Sequence, residues 1–270
     1  MHIDSKMLFL CFILMVVSNV IAAATKLYNN TTNMEISSQN PTTLTPDGLT
    51  FSVWGPIYLL ELCLVMYQCR AGIDCFPGNA RNWLSAAFIL NAGWLPFFAY
   101  HLWWLSLMTI IAYGGALRQA YVHMRVQYHG PARITDKIFG FAAVSMNLAW
   151  VVIATLLNVS IVFRNSNIVT TYHGKTLVGG NLDWAIACIV LATTIAFYLL
   201  LEHGDFVYAV TTAWALFGIY RMQTQAQAIW AASAAAALCI ASTVYMAAIV
   251  VQKCNNKKPT TNELERPLRA

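Results

Sequence analysis

Residues 83–117 read WLSAAFILNAGWLPFFAYHLWWLSLMTIIAYGGAL, an apolar run without Asp, Glu, Lys or Arg. One bilayer crossing uses roughly 20 residues, so the run is far too long for a single helix. It must fold back on itself. Tyr100, His101, Trp103 and Trp104 mark the place, because amphipathic aromatic side chains settle at the membrane–water interface. The run therefore reads as two helices, Trp83–Tyr100 and Leu102–Val122, joined by a tight turn.

The rest of the chain fits that setting. It has 270 residues, 59% hydrophobic and only 10% charged, where soluble proteins carry about 25% charged residues. Further apolar segments are Met7–Ala24, Leu49–Gln68, Ile138–Phe163, Asp183–Leu201, Asp205–Met222 and Ala226–Val251. The polar break Glu202-His203-Gly204 predicts a second tight hairpin. The expected fold class is all-α, a polytopic helical membrane protein. The first segment reads either as a transmembrane helix or as a signal peptide, since Ala22-Ala23-Ala24 resembles a small-residue cleavage site.

Charge sets the orientation. Arg118, Arg125, Arg133 and Lys137 lie in one connection, and Lys253, Lys257, Lys258, Arg266 and Arg269 lie in the tail. The positive-inside rule puts both in the cytosol and the 25–48 loop outside. That loop carries overlapping glycosylation sequons at Asn29 and Asn30. The net charge of +5 reads as topology and inner-leaflet contact, with the bilayer as partner and no nucleic acid. The seven cysteines show no metal-ligand spacing. Gly-rich phosphate loops, His-Glu-x-x-His and nucleophile elbows are missing from the sequence, so nothing points to a soluble enzyme's site and no residue forces catalysis.

Several helices carry unusual faces. Trp54, Tyr58 and Glu61 share one face of the second segment at spacings of four and three. An ionisable group at Glu61's depth costs on the order of 3 kcal/mol and turns toward the bundle interior; it reads as either a proton site or a packing contact. Asn91, Trp94 and Phe98 repeat the pattern in the third segment, and Asn147, Trp150, Ala154 and Asn158 in the fifth. Asparagine in hydrocarbon needs a partner, so these faces point inward. Three faces, each with a central tryptophan, predict an aromatic cavity. Leu44–Tyr58, LTPDGLTFSVWGPIY, leads into it, with Pro56 near a helix start where a missing N–H matters least.

The stretches PDGLTFSVWGPIY, LNAGWLPFF and LAWVVIATLLN, in that order, resemble the TspO/MBR family of tryptophan-rich sensory and translocator proteins. The resemblance covers about Met7–Phe163 and implies a five-helix bundle, here followed by about three further transmembrane helices. The expected organisation is therefore a first helix or signal peptide over 1–24, a TspO-like bundle over 25–163 that includes the first helix, additional spans over 164–251 and a cytosolic tail over 252–270.

The resemblance also implies ligands: tetrapyrroles such as porphyrin or haem, sterols and synthetic heterocycles, with no cofactor required. Lining residues would be Trp54, Tyr58, Asn91, Trp94, Phe98, Trp150 and Ala154, with Asn158 the helix-five asparagine. Trp104 would be the fourth-helix tryptophan, with Trp103 as alternative, and Leu44–Phe51 part of a lid. Glu61 is not part of the family motif. A sterol-motif pattern spans Leu117, Tyr121 and Arg125.

The leading expectation is a membrane receptor or carrier for a flat hydrophobic ligand. A proton-coupled secondary transporter using Glu61 is the alternative, and a seven-span signalling receptor a lesser one. The secretory pathway or plasma membrane is expected from the leader and the sequons, ahead of the mitochondrial outer membrane. Oligomeric state is not readable from the sequence.

Overall fold

The computed structural model describes residues 4–70, 78–127, 140–165, 171–172, 175–176 and 182–256. Lys257, Lys258, Arg266 and Arg269 of the basic tail, and Arg133 and Lys137 of the basic connection, lie outside these residues. Among the described residues stand nine α-helices, one 3₁₀ helix and one antiparallel pair of two-residue strands, Thr171–Tyr172 with Lys175–Thr176. The protein is an all-helical, multi-pass membrane protein.

Helix α1 (Ser5–Thr25) starts where the Asp4 carboxylate accepts from Met7 N, and it ends at Lys26 with φ 50°. A short α2 (Asn33–Gln39) follows, opened by a reciprocal capping box between Thr32 and Glu35. A 3₁₀ helix, Gly48–Val53, then runs directly into α3 (Trp54–Arg70). Pro56 is the third residue of α3, in its first turn, where proline is best tolerated.

The run 83–117 folds back where its aromatics indicate. Helix α4 (Gly78–Ala99) and α5 (Trp103–Gln127) form a hairpin turned through His101 at φ 59°. Beyond α6 (Ala142–Asn165), α7 (Leu182–His203) and α8 (Phe206–Met222) form the second hairpin, and α9 (Ala226–Asn256) closes the bundle. The α7–α8 turn requires glycine twice over. Gly204 has φ 65°, and a Cβ there would lie 1.9 Å from the Tyr245 hydroxyl of α9.

Among the described residues, five segments are long and apolar enough on their own to cross a membrane: α1, the 3₁₀–α3 unit, α6, α7 and α9. Helix α8 has only 17 residues. Helices α4 and α5 carry Trp, Tyr, Asn and Arg side chains that lower their mean hydropathy. The most apolar stretch of α6 is 61% buried and that of α9 only 17%, so α6 is the central helix and α9 a peripheral one. Helix α6 packs against α3, α5, α7 and α8.

Chain ends alternate along the bundle. One end gathers Ser5 against Gln68 and Cys69 and Arg125 against His203. The other gathers Asn29 on the Ala99 carbonyl and Asn165 on Asn40.

Candidate functional site

The end of the bundle at which α4 turns into α5 is roofed by aromatic side chains. The Asp47 carboxylate accepts from Leu49 N at 2.7 Å and starts the 3₁₀ turn, which lowers Phe51 onto Trp150 of α6 at 5.8 Å between ring centroids. One turn on, Trp54 stacks on Tyr58 at 5.4 Å and meets Trp150 edge-on at 6.1 Å. Trp94 and Phe98, one turn apart on α4, stack at 4.9 Å. Phe51, Trp54, Trp94, Phe98, Trp150, Ala154 and Asn158 together line a cavity beneath the α2–3₁₀ segment, with Pro46 and Ser37 on its roof. The three aromatic faces converge.

This cavity is closed down to about 30 Å³, room for little more than one water. A second, more open cavity of about 300 Å³ lies on the other side of Phe51 and Trp54, lined also by Asn19, Ala22, Met34, Tyr58 and Leu95. Phe51 and Trp54 are the partition between the two.

Four polar atoms of the residues around the closed cavity are buried without a partner: Ser37 Oγ, Trp94 Nε1, Trp150 Nε1 and Asn158 Oδ1. The Asn158 amide nitrogen is used on Ser106 Oγ at 2.7 Å. A buried unpaired donor or acceptor costs about 1–3 kcal/mol, and native proteins tolerate few of them. Two indole donors and a carbonyl acceptor at one apolar cavity suit a ligand that carries oxygen.

The other sequence candidates fall elsewhere. Trp104 is 41% exposed and meets Phe163 at 5.8 Å; it lines neither cavity. Its neighbour Trp103 packs on Phe98 at 5.9 Å, directly behind the cavity wall. Asn91 accepts from Asn19 Nδ2 at 2.7 Å inside the core, behind the lining. Glu61 is fully buried, with Oε1 accepting from the Asn147 amide and Oε2 without a partner. Gly55 is open: a Cβ there meets nothing within 4 Å. Leu117 and Tyr121 are buried, and Tyr121 donates to Asp205, so the sterol-motif pattern faces the core instead of lipid.

Of the sequon residues, Asn29 spends its amide nitrogen on the Ala99 carbonyl at 2.9 Å, while Asn30 is exposed. Both have left-handed backbone, a conformation asparagine tolerates. Nearby, Lys26 meets Glu35 at 2.5 Å. That ammonium, then the Thr32 backbone N–H, hold the Glu35 carboxyl below the usual carboxylate range. The capping box of α2 thus stays ionised at neutral pH and weakens as the pH falls through that lowered value.

The roof is fastened from a direction the sequence does not announce. Asp47 N donates to the Gly218 carbonyl of α8 at 2.9 Å, and Trp214 Nε1 donates to the Thr50 carbonyl at 3.0 Å. Gln223 Nε2 donates to the Thr42 and Thr45 carbonyls, and Arg221 pairs with Asp47 at 3.3 Å. Gly218 lets Thr50 sit against the helix backbone, where a Cβ would lie 1.9 Å from Thr50 Oγ1. Trp214, Gly218, Arg221 and Gln223 were legible only as members of an apolar helix and its end.

Comparison with known proteins agrees with this architecture. No curated protein and no solved structure matches the chain. The model of the family described as TSPO-like protein matches residues 6–250, from the first turn of α1 into α9 and so across α7 and α8 as well. The chain belongs to the TSPO-like protein family.

Proposed function

We propose that the protein is a membrane receptor or carrier for a flat hydrophobic ligand, a tetrapyrrole first and a sterol second, bound beneath the α2–3₁₀ roof. One observation carries the reading: aromatic rings from the 3₁₀ segment, α3, α4 and α6 converge on a cavity whose residues hold four unpartnered buried polar atoms. A drug-sized ligand needs roughly 300–1,000 Å³, which the closed cavity does not offer. Entry therefore requires Phe51 and Trp54 to swing aside and merge it with its ≈ 300 Å³ neighbour. The secretory pathway or plasma membrane is the proposed location, supported by the exposed Asn30 sequon; a mobility shift removed by a deglycosylating enzyme is the expected result.

The test is equilibrium titration of the detergent-solubilised protein with protoporphyrin IX, followed by tryptophan quenching. Saturable quenching is expected, weakened in Trp54→Phe and lost in the Trp94→Ala/Trp150→Ala double variant. Undiminished quenching in a folded double variant would sink the assignment.

A further inference from the structure

A line of hydrogen bonds crosses the bundle from the wall of the ≈ 300 Å³ cavity to a buried carboxyl, and every donor along it points the same way. The Tyr58 hydroxyl, on that wall, donates to Asn19 Oδ1 at 2.7 Å. Asn19 Nδ2 donates to Asn91 Oδ1 at 2.7 Å, and the Asn91 side chain in turn faces the Tyr113 hydroxyl. Tyr113 spends its own proton on Asn147 Oδ1 at 2.8 Å, so it turns only oxygen lone pairs toward Asn91, whose amide nitrogen is the group that can donate to them. Asn147 Nδ2 then donates to Glu61 Oε1. The chain takes side chains from α1, α3, α4, α5 and α6.

Aligned hydrogen bonds polarise one another, so each dipole in the line favours negative charge at its Glu61 end. Glu61 has little else: Asn147 is the donor on Oε1, and Oε2 is buried without a partner. The titratable groups that face it are Tyr58 on its own helix and Tyr113 on α5, both phenols, which bring no positive charge. Helices α1, α4 and α6 enter the chain through amides. Amides do not hand protons on, so the line transmits charge stabilisation and is not a proton wire.

We propose that Glu61 is a proton-binding site linked to occupancy of the cavity: a ligand oxygen that takes the Tyr58 hydroxyl proton breaks the first bond of the chain and loosens its hold on the carboxylate. The ligand is then bound together with a proton. That proton comes from the aqueous phase, joins the Glu61 carboxylate, and returns to water when the ligand leaves. Linkage is reciprocal, so acid tightens ligand binding by the factor by which ligand favours protonation. The coupling to a ligand rests on the cavity being a ligand site; the chain's hold on Glu61 does not.

The two are separated by following the protonated-carboxyl stretch in the infrared during pH titration of the full chain in nanodiscs, the band being assigned with Glu61→Gln. Without ligand, Tyr58→Phe is expected to raise the Glu61 midpoint by about half a pH unit or more. Tyr113→Phe, nearer the carboxyl, gives the same reading if the first variant fails to fold. An unchanged midpoint in the folded variants overturns the chain. With protoporphyrin IX as probe, affinity is expected to rise about threefold or more from the alkaline to the acid side of that midpoint, and to be flat in Glu61→Gln. Porphyrin affinity equal on both sides in the wild type overturns the coupling. A shifted midpoint with no porphyrin binding upholds the chain and overturns the ligand reading alone.

Discussion

Asn147 serves two buried partners at once, accepting from Tyr113 and donating to Glu61. Asn147→Leu would leave a phenol and a carboxyl without their partner in the centre of the bundle. Orphaning a buried group costs about 1–3 kcal/mol, whereas hydrogen bonds between membrane helices average about 0.6 kcal/mol because the unfolded chain in lipid also finds partners. The expected loss is therefore about 1–2 kcal/mol, read as a lowered midpoint of thermal unfolding in detergent. Glu61→Leu combined with Asn147→Leu should cost less than the sum of the two single changes, since each removes what the other orphans; simple additivity would mean that the two side chains do not act on each other. These residues were readable in the sequence because Asn or Glu in an apolar helix must find a partner. Asn19 carries the same signal inside its apolar run, whereas nothing in the sequence separates Tyr113 from an ordinary packing aromatic. The choice between Trp103 and Trp104 was not readable: neighbours on a helix point about 100° apart, and the phase of α5 is set by how tightly the turn at His101 closes.

The α2–3₁₀ segment and α8 behave as one unit at the scale of elements. Most of its fastening is hydrogen bonding from α8 to backbone carbonyls of residues 42–50. The half-exposed Arg221–Asp47 pair adds no more than about 1 kcal/mol, as exposed ion pairs do. Arg221→Ala is accordingly a mild change, and Gly218→Ala a severe one, because its Cβ has nowhere to go but into Thr50. Overpacking of this kind costs about 1–3 kcal/mol. Gly218→Ala is expected to lift the roof, speeding amide hydrogen exchange across residues 47–53 while α4 and α5 exchange as before. Exchange confined to the wild-type rate would show that α8 does not hold the roof. The long helices were legible from apolar runs and charge breaks. The 3₁₀ turn was not, because Pro46, Asp47 and Gly48 announce a turn without saying which helix it will lie against.

For the whole molecule, the question is whether the helices after residue 164 are an appendage or part of the bundle. Sequence pattern could not decide it: α8 and α9 are apolar or alanine-rich around most of their circumference, and such helices carry no stripe that names a partner. The contacts decide it. Asp205, at the start of α8, is 3% exposed, and both its oxygens accept from Ser145 of α6 while Tyr121 of α5 donates to one of them. Trp184 of α7 donates to Ser160 of α6 at 2.8 Å, and α8 holds the roof from the other end. Central α6 is thus enclosed only when α7 and α8 are present. A chain ending at residue 165 would strip Ser145, Ser160 and Tyr121 of buried partners and release residues 42–50 together. Such a truncation is expected to elute as aggregate in fluorescence-detected size exclusion and to lose saturable porphyrin quenching. Co-expression of residues 166–270 as a separate chain should restore both, since the lost interactions are tertiary and need no covalent link. A monodisperse five-helix fragment as thermostable as the full chain would make α7–α9 a separate module and leave the roof to fasten itself.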